Sequence, residues 1–381
     1  MNRLLIEQKN GATEIALLSD RALMDYALCR AEAVAAEQIY LGRVERIQKG
    51  MSAAFVALSG DTKGFLPLNE TKAPLKGGDT LLVQVKKPPV QEKLAYLTAD
   101  IALAGAYFVL LPCGKRHMVS ARVEEEPARA ALLALAGELA PEGMGLVMRR
   151  RALSVSREML EGELAALLDQ WRHITEKAQQ KKAPCLIDPG PSPLKRALRD
   201  FAPIDFVLAD SDAALDDCPA ASVSPNPFAL YDVRGQLKKA CARHIWLKSG
   251  GFLIVDVCEA LTVIDVNTGK FAGKRSGAED TFLALNLEAA AEIARLMRVR
   301  GMGGIVLVDF IDMKDEAHRQ RVLEAMERAL KDDPVKCVVH GFTSLGLMEI
   351  TRKKAERPLN NFGSETPCPH CGGTGVLKED V

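Results

Sequence analysis

The sequence predicts a multidomain α/β protein, and three observations carry that prediction. A chain of 381 residues exceeds one ordinary domain, so roughly two to four are expected. Residues 38–100 read as short strands separated by Gly, Lys and Asp turn signals, the texture of a small closed barrel such as an OB-fold. Residues 251–340 alternate apolar strand-like runs with amphipathic helices, the texture of a layered α/β domain.

The elements follow in order. Residues 1–36 read as strand, turn, strand and a short polar stretch. IYLGRVERI, SAAFVAL, KGFLPL and DTLLVQVKK supply the barrel strands. Residues 101–182 are mixed: a strand in AYFVLLP, an Ala/Leu-rich helix over 127–139, the segment GLVMRRR and a long helix over 156–181. CLIDPGPSP opens a further α/β stretch, IDFVLAD is its strand, and SPNPF caps a helix running to Ala242. FLIVDV and LTVIDVN are strands. Phe282, Leu285, Ala289, Ile293 and Leu296 recur at three- and four-residue steps, which predicts a helix over 280–299 ended by Gly301, Gly303 and Gly304. GIVLVDF is the next strand, and residues 315–331 form another helix. After Pro358 the chain reads as loop until CPHCGGTG.

Lys plus Arg and Asp plus Glu both number 50. Net charge therefore neither supports nor excludes a nucleic-acid partner, whose binding would need clustered basic residues. The nine cysteines stand mostly alone in apolar contexts, as at Cys258 and Cys337, which points to reduced thiols rather than a disulfide framework. The N-terminus MNRLLIEQKNG is too short and polar for a signal peptide, and no apolar run reaches membrane length. A cytoplasmic protein with no membrane segment is expected.

Two acids stand at strand ends: Asp265 in LTVIDVN and Asp309 in GIVLVDF. Strand, helix, strand is a βαβ unit, so the strands should be parallel and both acids should lie at their carboxyl ends, where open α/β sheets build sites. Two ionised carboxylates side by side are costly unless a cation joins them. Magnesium suits such a pair, because it takes one or two carboxylates and keeps other positions for water and phosphate. Asn267 shares the parity of Asp265 and should point to the same side. Asp312 is a candidate supporting acid. A lone Asp at a strand end is ordinarily a turn or helix cap; two at matching ends favour the metal.

In the barrel segment Phe55 and Phe65 lie on separate strands, flanked by Lys49, Lys63, Arg43 and Arg46. Bases stack on such aromatics in OB-folds while cations follow the backbone. Pattern alone leaves open whether the two rings are surface or barrel core, although Gly64 and the polar context of Phe65 favour the surface. CPHCGGTG has the form C-x-x-C-x-G-x-G. Cys368 and Cys371 suit zinc but are half of a four-ligand site; His370 and other residues, or a second copy of the chain, would complete it.

These pieces in this order resemble the ribonuclease E/G family. YLGRVERIQKGMSAAFVALSGDTKGFLPL resembles its RNA-binding barrel. WLKSGGFLIVDVCEALTVIDVNTGKF, NLEAAAEIARLMRVRGMGGIVLVDFIDM and GFTSLGLMEITRK resemble its catalytic domain, and CPHCGGTG its zinc link. The resemblance implies a magnesium-dependent endoribonuclease for single-stranded RNA, with Asp265 and Asp309 as metal ligands and Asn267 supporting the site and the scissile phosphate. The products would be 5′-phosphate and 3′-hydroxyl ends, in RNA processing and decay. It further implies base contacts by Phe55 and Phe65, and a zinc shared by Cys368 and Cys371 of two protomers, hence a homodimer. Its architecture would be an RNase H-like domain split over 1–36 and 184–242, an OB-fold barrel over 37–103, a sensor of the RNA 5′ end over 104–183, a DNase I-like catalytic domain over 243–362 and a zinc-link tail over 363–381. The sensor would use the backbone from Gly105 to Val109 with Arg149; Arg150 stands where the family has Thr. No scaffold tail is expected, nor the family's small C-terminal domain. The competing expectations are a non-catalytic RNA-binding protein on the same scaffold and a nuclease acting on DNA.

Overall fold

The computed structural model describes residues 1–381 apart from 31–32, 72, 90–92, 122, 202, 270–277, 332 and 355–381. The chain divides into two compact units: Arg30–Ala202, and a discontinuous unit of Met1–Cys29 with the chain from Pro203 onward. The chain opens with β1 (Asn2–Lys9), β2 (Ala12–Ser19) and β3 (Ala22–Arg30). Asn10 and Gly11 turn β1 into β2 with positive φ at both residues, the backbone that a two-residue hairpin of the right twist requires.

The unit of residues 30–202 begins with β4 (Ile39–Gln48), β5 (Ala53–Ser59), β6 (Thr62–Pro67), β7 (Thr80–Lys87) and β8 (Ala95–Thr98). They hydrogen-bond in the order β4-β5-β6-β8-β7, and β7 returns to β4, so the sheet closes into the expected five-stranded barrel. Only β6 and β8 run parallel within that ring. Val44, Ala54, Val56, Leu66, Val83 and Leu97 fill it. Gly64 makes room for this packing, since a Cβ there would stand 2.5 Å from Leu97 Cδ1. A second sheet, ordered β11-β12-β10-β9, follows from β9 (Leu103–Ala104), β10 (Phe108–Leu111), β11 (Met118–Val119) and β12 (Gly145–Met148). The helices α1 (Glu126–Leu139) and α2 (Arg157–Gln180) share its core. Then β13 (Cys185–Asp188) pairs antiparallel with β4, and Arg199 of α3 (Pro193–Phe201) forks onto Glu37 at 2.7 and 2.9 Å. These long-range bonds hold residues 185–201 to the barrel unit, which runs Arg30–Ala202.

In the other unit β14 (Phe206–Ala209) lies parallel to β1, flanked by β15 (Ser222–Val223). The single helix expected up to Ala242 is two, α4 (Pro227–Leu230) and α5 (Val233–Ala240). The break is at Asp232, whose φ is 49° and whose carboxylate accepts a hydrogen bond from Gly235 N. A left-handed residue cannot continue a helix, and a carboxylate offered to free amides starts a new one. Next come β16 (His244–Trp246), β17 (Phe252–Val257), β18 (Leu261–Asn267), α6 (Ala278–Val299), β19 (Gly304–Asp309), α7 (Glu316–Leu330), β20 (Cys337–Phe342) and β21 (Met348–Arg352). The sheet order is β16-β17-β18-β19-β21-β20. β18, α6 and β19 form the expected βαβ unit with parallel strands.

One face of this sheet is core: Leu253, Val255, Ile264, Val266, Val306, Val308, Met348 and Ile350 are buried with Leu285, Ala289, Ile293 and Leu296 of α6. Each Leu or Ile so placed contributes about 1.5–3 kcal/mol relative to exposure. Strand alternation sends the intervening residues to the other face, where among the described residues the side chains are half-buried or exposed. That open face carries the acids.

Candidate active site

Asp265 and Asp309 face each other in the parallel register of β18 and β19. Asp309 ends its strand and is exposed; Asp265 stands two residues from the end of its own and is half-buried. Asn267 lies on the same face and its amide donates to Asp265 Oδ2 at 2.7 Å. That bond turns one Asp265 oxygen away from free solvent and fixes the carboxyl plane. Although the residue is exposed overall, desolvation of its carboxyl, reinforced by the nearby Asp265 and Asp312 carboxylates, holds Asp309 above its usual range. A carboxyl that resists ionisation beside other carboxylates marks a place where a cation would be welcome. The donor set, two carboxylates and an orienting amide, is hard oxygen chemistry and fits magnesium rather than a thiophilic ion. Among the described residues no cluster of three or more His, Cys, Asp or Glu is arranged to hold a metal; the acids that the register brings together are Asp265 and Asp309.

The segment that leaves β19 is gripped by α6 at two points. Asn286, fully buried, donates to the Ile311 carbonyl at 2.8 Å and accepts from Ile311 N at 3.1 Å. Glu279 in the first turn accepts from Lys314 N and Asp315 N at 2.7 and 3.1 Å. With Phe310 and Met313 buried below, the backbone beside Asp309 has little freedom. Neither Asn286 nor Glu279 stood out in the sequence. A signal existed for Asn286: it is an amide on the stripe of Phe282, Leu285 and Ala289, and a buried amide must find partners.

On the barrel, Phe55 and Phe65 are opposed across β5 and β6, with ring centroids 6.1 Å apart in an edge-to-face arrangement. Both are half-buried, while their neighbours Ala54, Val56 and Leu66 fill the core. Alternation therefore puts the rings outside. Tyr96 of β8, which did not stand out in the sequence, extends the row at 6.1 Å from Phe65. The Arg46 guanidinium stands 4.5 Å over Phe55 and the Lys87 ammonium 5.8 Å over Tyr96. Lys49 is exposed beyond the end of β4, and Lys63 pairs with Glu45 at 2.7 Å. Arg43 reaches the Ala183 carbonyl at 3.0 Å.

In the region expected to sense an RNA end, Arg149 N donates to the Tyr107 carbonyl, which brings Arg149 beside the Gly105–Val109 stretch. Val109 is paired within β10 with Ala104 and Val147. The amides of Ala106 and Tyr107 both donate to the Glu163 carboxylate of α2, at 2.5 and 2.9 Å. Two amides that an anion would use thus already hold one. Arg150 turns aside to Glu125 at 3.0 Å, and Arg151 donates to the Arg199 and Asp200 carbonyls. Burial first, then the Arg199 charge, lowers the Arg149 guanidinium from its ordinary range.

Cys368, His370 and Cys371 lie outside the described residues. Among the described residues no helix is long and apolar enough to cross a membrane.

The match to the Ribonuclease E/G family covers residues 102–355 and so includes both strand-end acids and Asn267. A ribonuclease G of Salmonella typhimurium (strain SL1344) is 36% identical over 377 residues, spanning 89% of this chain and 77% of that protein. A ribonuclease E of Synechocystis sp. (strain ATCC 27184 / PCC 6803 / Kazusa) is 34% identical over 377 residues, spanning 90% of this chain and 55% of that protein. The ribonuclease E of Escherichia coli (strain K12) is 32% identical over 421 residues, spanning all of this chain and 39% of that protein. This chain is a member of the ribonuclease E/G family.

Proposed function

We propose that this chain is a magnesium-dependent endoribonuclease that cuts single-stranded RNA to 5′-phosphate and 3′-hydroxyl ends, in RNA processing and decay. The observation that carries the reading is the register of Asp265 against Asp309 with Asn267 bonded to Asp265, in a chain related to proteins named ribonuclease G and ribonuclease E. Asp265 and Asp309 would hold the ion, which when bound supplies Lewis acidity to the phosphodiester and its attacking water. Asn267 keeps Asp265 in one orientation, and its second amide N–H remains for a phosphate oxygen. Phe55 and Phe65, extended by Tyr96, offer faces for bases, while Lys49, Lys63 and Arg46 follow the RNA backbone.

Two further proposals belong to this reading. Arg149 and the Gly105–Val109 backbone recognise a 5′-monophosphate, which would have to displace Glu163 from the Ala106 and Tyr107 amides. Cys368 and Cys371 share a structural zinc between two protomers, giving a homodimer whose native mass halves on chelation and in Cys368→Ser. The central test is cleavage of a short A/U-rich single-stranded RNA with magnesium, offered with a 5′-monophosphate and with a 5′-hydroxyl. The wild type should cut and Asp309→Asn should not. Equal cleavage by both proteins would sink the assignment, and faster cutting of single-stranded DNA of equal sequence would move it to a DNA nuclease.

A further inference from the structure

The open face of the catalytic sheet holds a second feature beside the acids. Trp246 is 60% exposed, and His244 next to it is also exposed. Across the sheet Trp246 is opposed to Phe252, and Phe252 to Asn267. The adjoining row runs His244, Ile254, Asp265, Asp309. Directly opposed residues point to one face, so the aromatic rings and the acids share it. Strands lie about 4.8 Å apart and alternate residues about 6.6–6.8 Å apart along a strand. The rings therefore begin one strand away from Asn267. His244 stacks on Phe252 at 4.4 Å and 20°; Trp246 leans over both, at 4.8 Å from His244 and 5.4 Å from Phe252.

We propose that His244, Trp246 and Phe252 form a stacking subsite for a nucleobase of the RNA strand next to the scissile phosphate. The proposal rests on the ribonuclease reading for the occupant's class. A strand held by its phosphodiester at Asp265 and Asp309 carries a base within reach of the neighbouring row. Every nucleobase has a flat π-face, and stacking on aromatic side chains is how single strands are held without reading their sequence. A tryptophan left largely in water beside a reactive site gives the fold little, because the large apolar area of an indole stabilises only what covers it. The subsite is independent of the barrel's row of rings. Among the described residues no cation stands over its rings of the kind that Arg46 and Lys87 supply there.

The chain has two tryptophans. In the full-length protein carrying Trp171→Phe and Asp309→Asn, Trp246 is the sole indole and RNA is bound without being cut. A fluorescein-labelled single-stranded A/U decamer reports binding by anisotropy while Trp246 emission is followed. Strong quenching that saturates with the anisotropy is expected. In the cleavage-competent protein, Trp246→Ala should raise KM about tenfold with kcat little changed, within the range of one lost base stack, and Trp246→Tyr should restore most of it. An RNA lacking the base next to the cut site should bind wild type and Trp246→Ala equally. Binding without quenching, or an unchanged KM in Trp246→Ala, would overturn the subsite while leaving the ribonuclease standing. Trp246 emission that responds to protein concentration without RNA would overturn it in favour of a second copy of the chain. Quenching by RNA in a protein whose wild type never cuts would overturn the ribonuclease and keep the subsite.

Discussion

Two surfaces of this molecule place aromatic rings in register across neighbouring strands, and the charges beside those rings differ in sign. On the barrel, Phe55, Phe65 and Tyr96 run across β5, β6 and β8 with Arg46 and Lys87 over the outer rings. On the sheet that carries the acids, Trp246 and Phe252 run across β16 and β17 into Asn267 and the paired acids. Rings with cations suit a polyanion held as such, since both backbone charge and base faces are satisfied. Rings with acids repel a bare polyanion and need a bridging cation before a strand can settle. Under the proposed function, the same backbone device would give a surface for holding and a surface for reacting.

The contrast can be tested from either side. The largest effect is expected at the acids. Under the proposed function Asp309→Asn would remove one of two anionic oxygen donors for the cation, a loss of several kcal/mol, so kcat should fall by about a thousandfold or more. RNA affinity, read by anisotropy, should stay within a few-fold, because the barrel still holds the strand. A parallel collapse of affinity would erase the division between holding and reacting.

Asn286→Ala comes next. It strands the part-buried amide and carbonyl of Ile311, a cost of about 1 kcal/mol or more, which should appear as a lower denaturation midpoint. The same change frees the segment after Asp309, so kcat should drop by more than KM rises. If stability falls and kcat does not, Asn286 serves the core alone.

Phe65→Ala should weaken RNA binding by about 1–3 kcal/mol, the worth of one stacked base, with kcat preserved. A drop in kcat with unchanged KM would mean that the barrel row acts on chemistry.

The smallest effect is expected for Arg46→Gln. The cation over Phe55 is worth about 0.5–1 kcal/mol at an exposed site, so affinity should fall a few-fold at most. The slope of log affinity against log salt should shrink by close to one ion. An unchanged slope would show that Arg46 serves the ring and not the RNA.

Much of this site was legible in the sequence because its signals are local or follow from chain connectivity. Strand–helix–strand makes the strands parallel with like ends together, and so chain order brings Asp265 and Asp309 to the same edge of the sheet. Parity places Asn267 with Asp265. The helix over 280–299 was legible from its three- and four-residue steps and extends over Ala278–Val299. Other features resisted for physical reasons. The α4–α5 break depends on one left-handed residue, Asp232, which periodicity does not see. Tyr96 lies on a four-residue strand following residues 90–92, too short to announce a face. Glu163 is one acid among many on a long helix, and only folding reveals that it caps the Ala106 and Tyr107 amides.

Element types, the chain order of the two acids and the short-strand texture of the barrel were all encoded locally, because periodicity and turn chemistry act over a few residues. Register, closure and facing were not. That Asp265 meets Asp309 rather than a neighbour two residues away, that β7 returns to β4, that Phe55 and Phe65 look outward, and that Trp246 stands in the row of Asn267 are outcomes of hydrogen bonding between distant strands. A slip of one residue would turn each of those side chains to the opposite face. Only the packing of the whole unit, with every core residue seeking the same side, selects one register over the others.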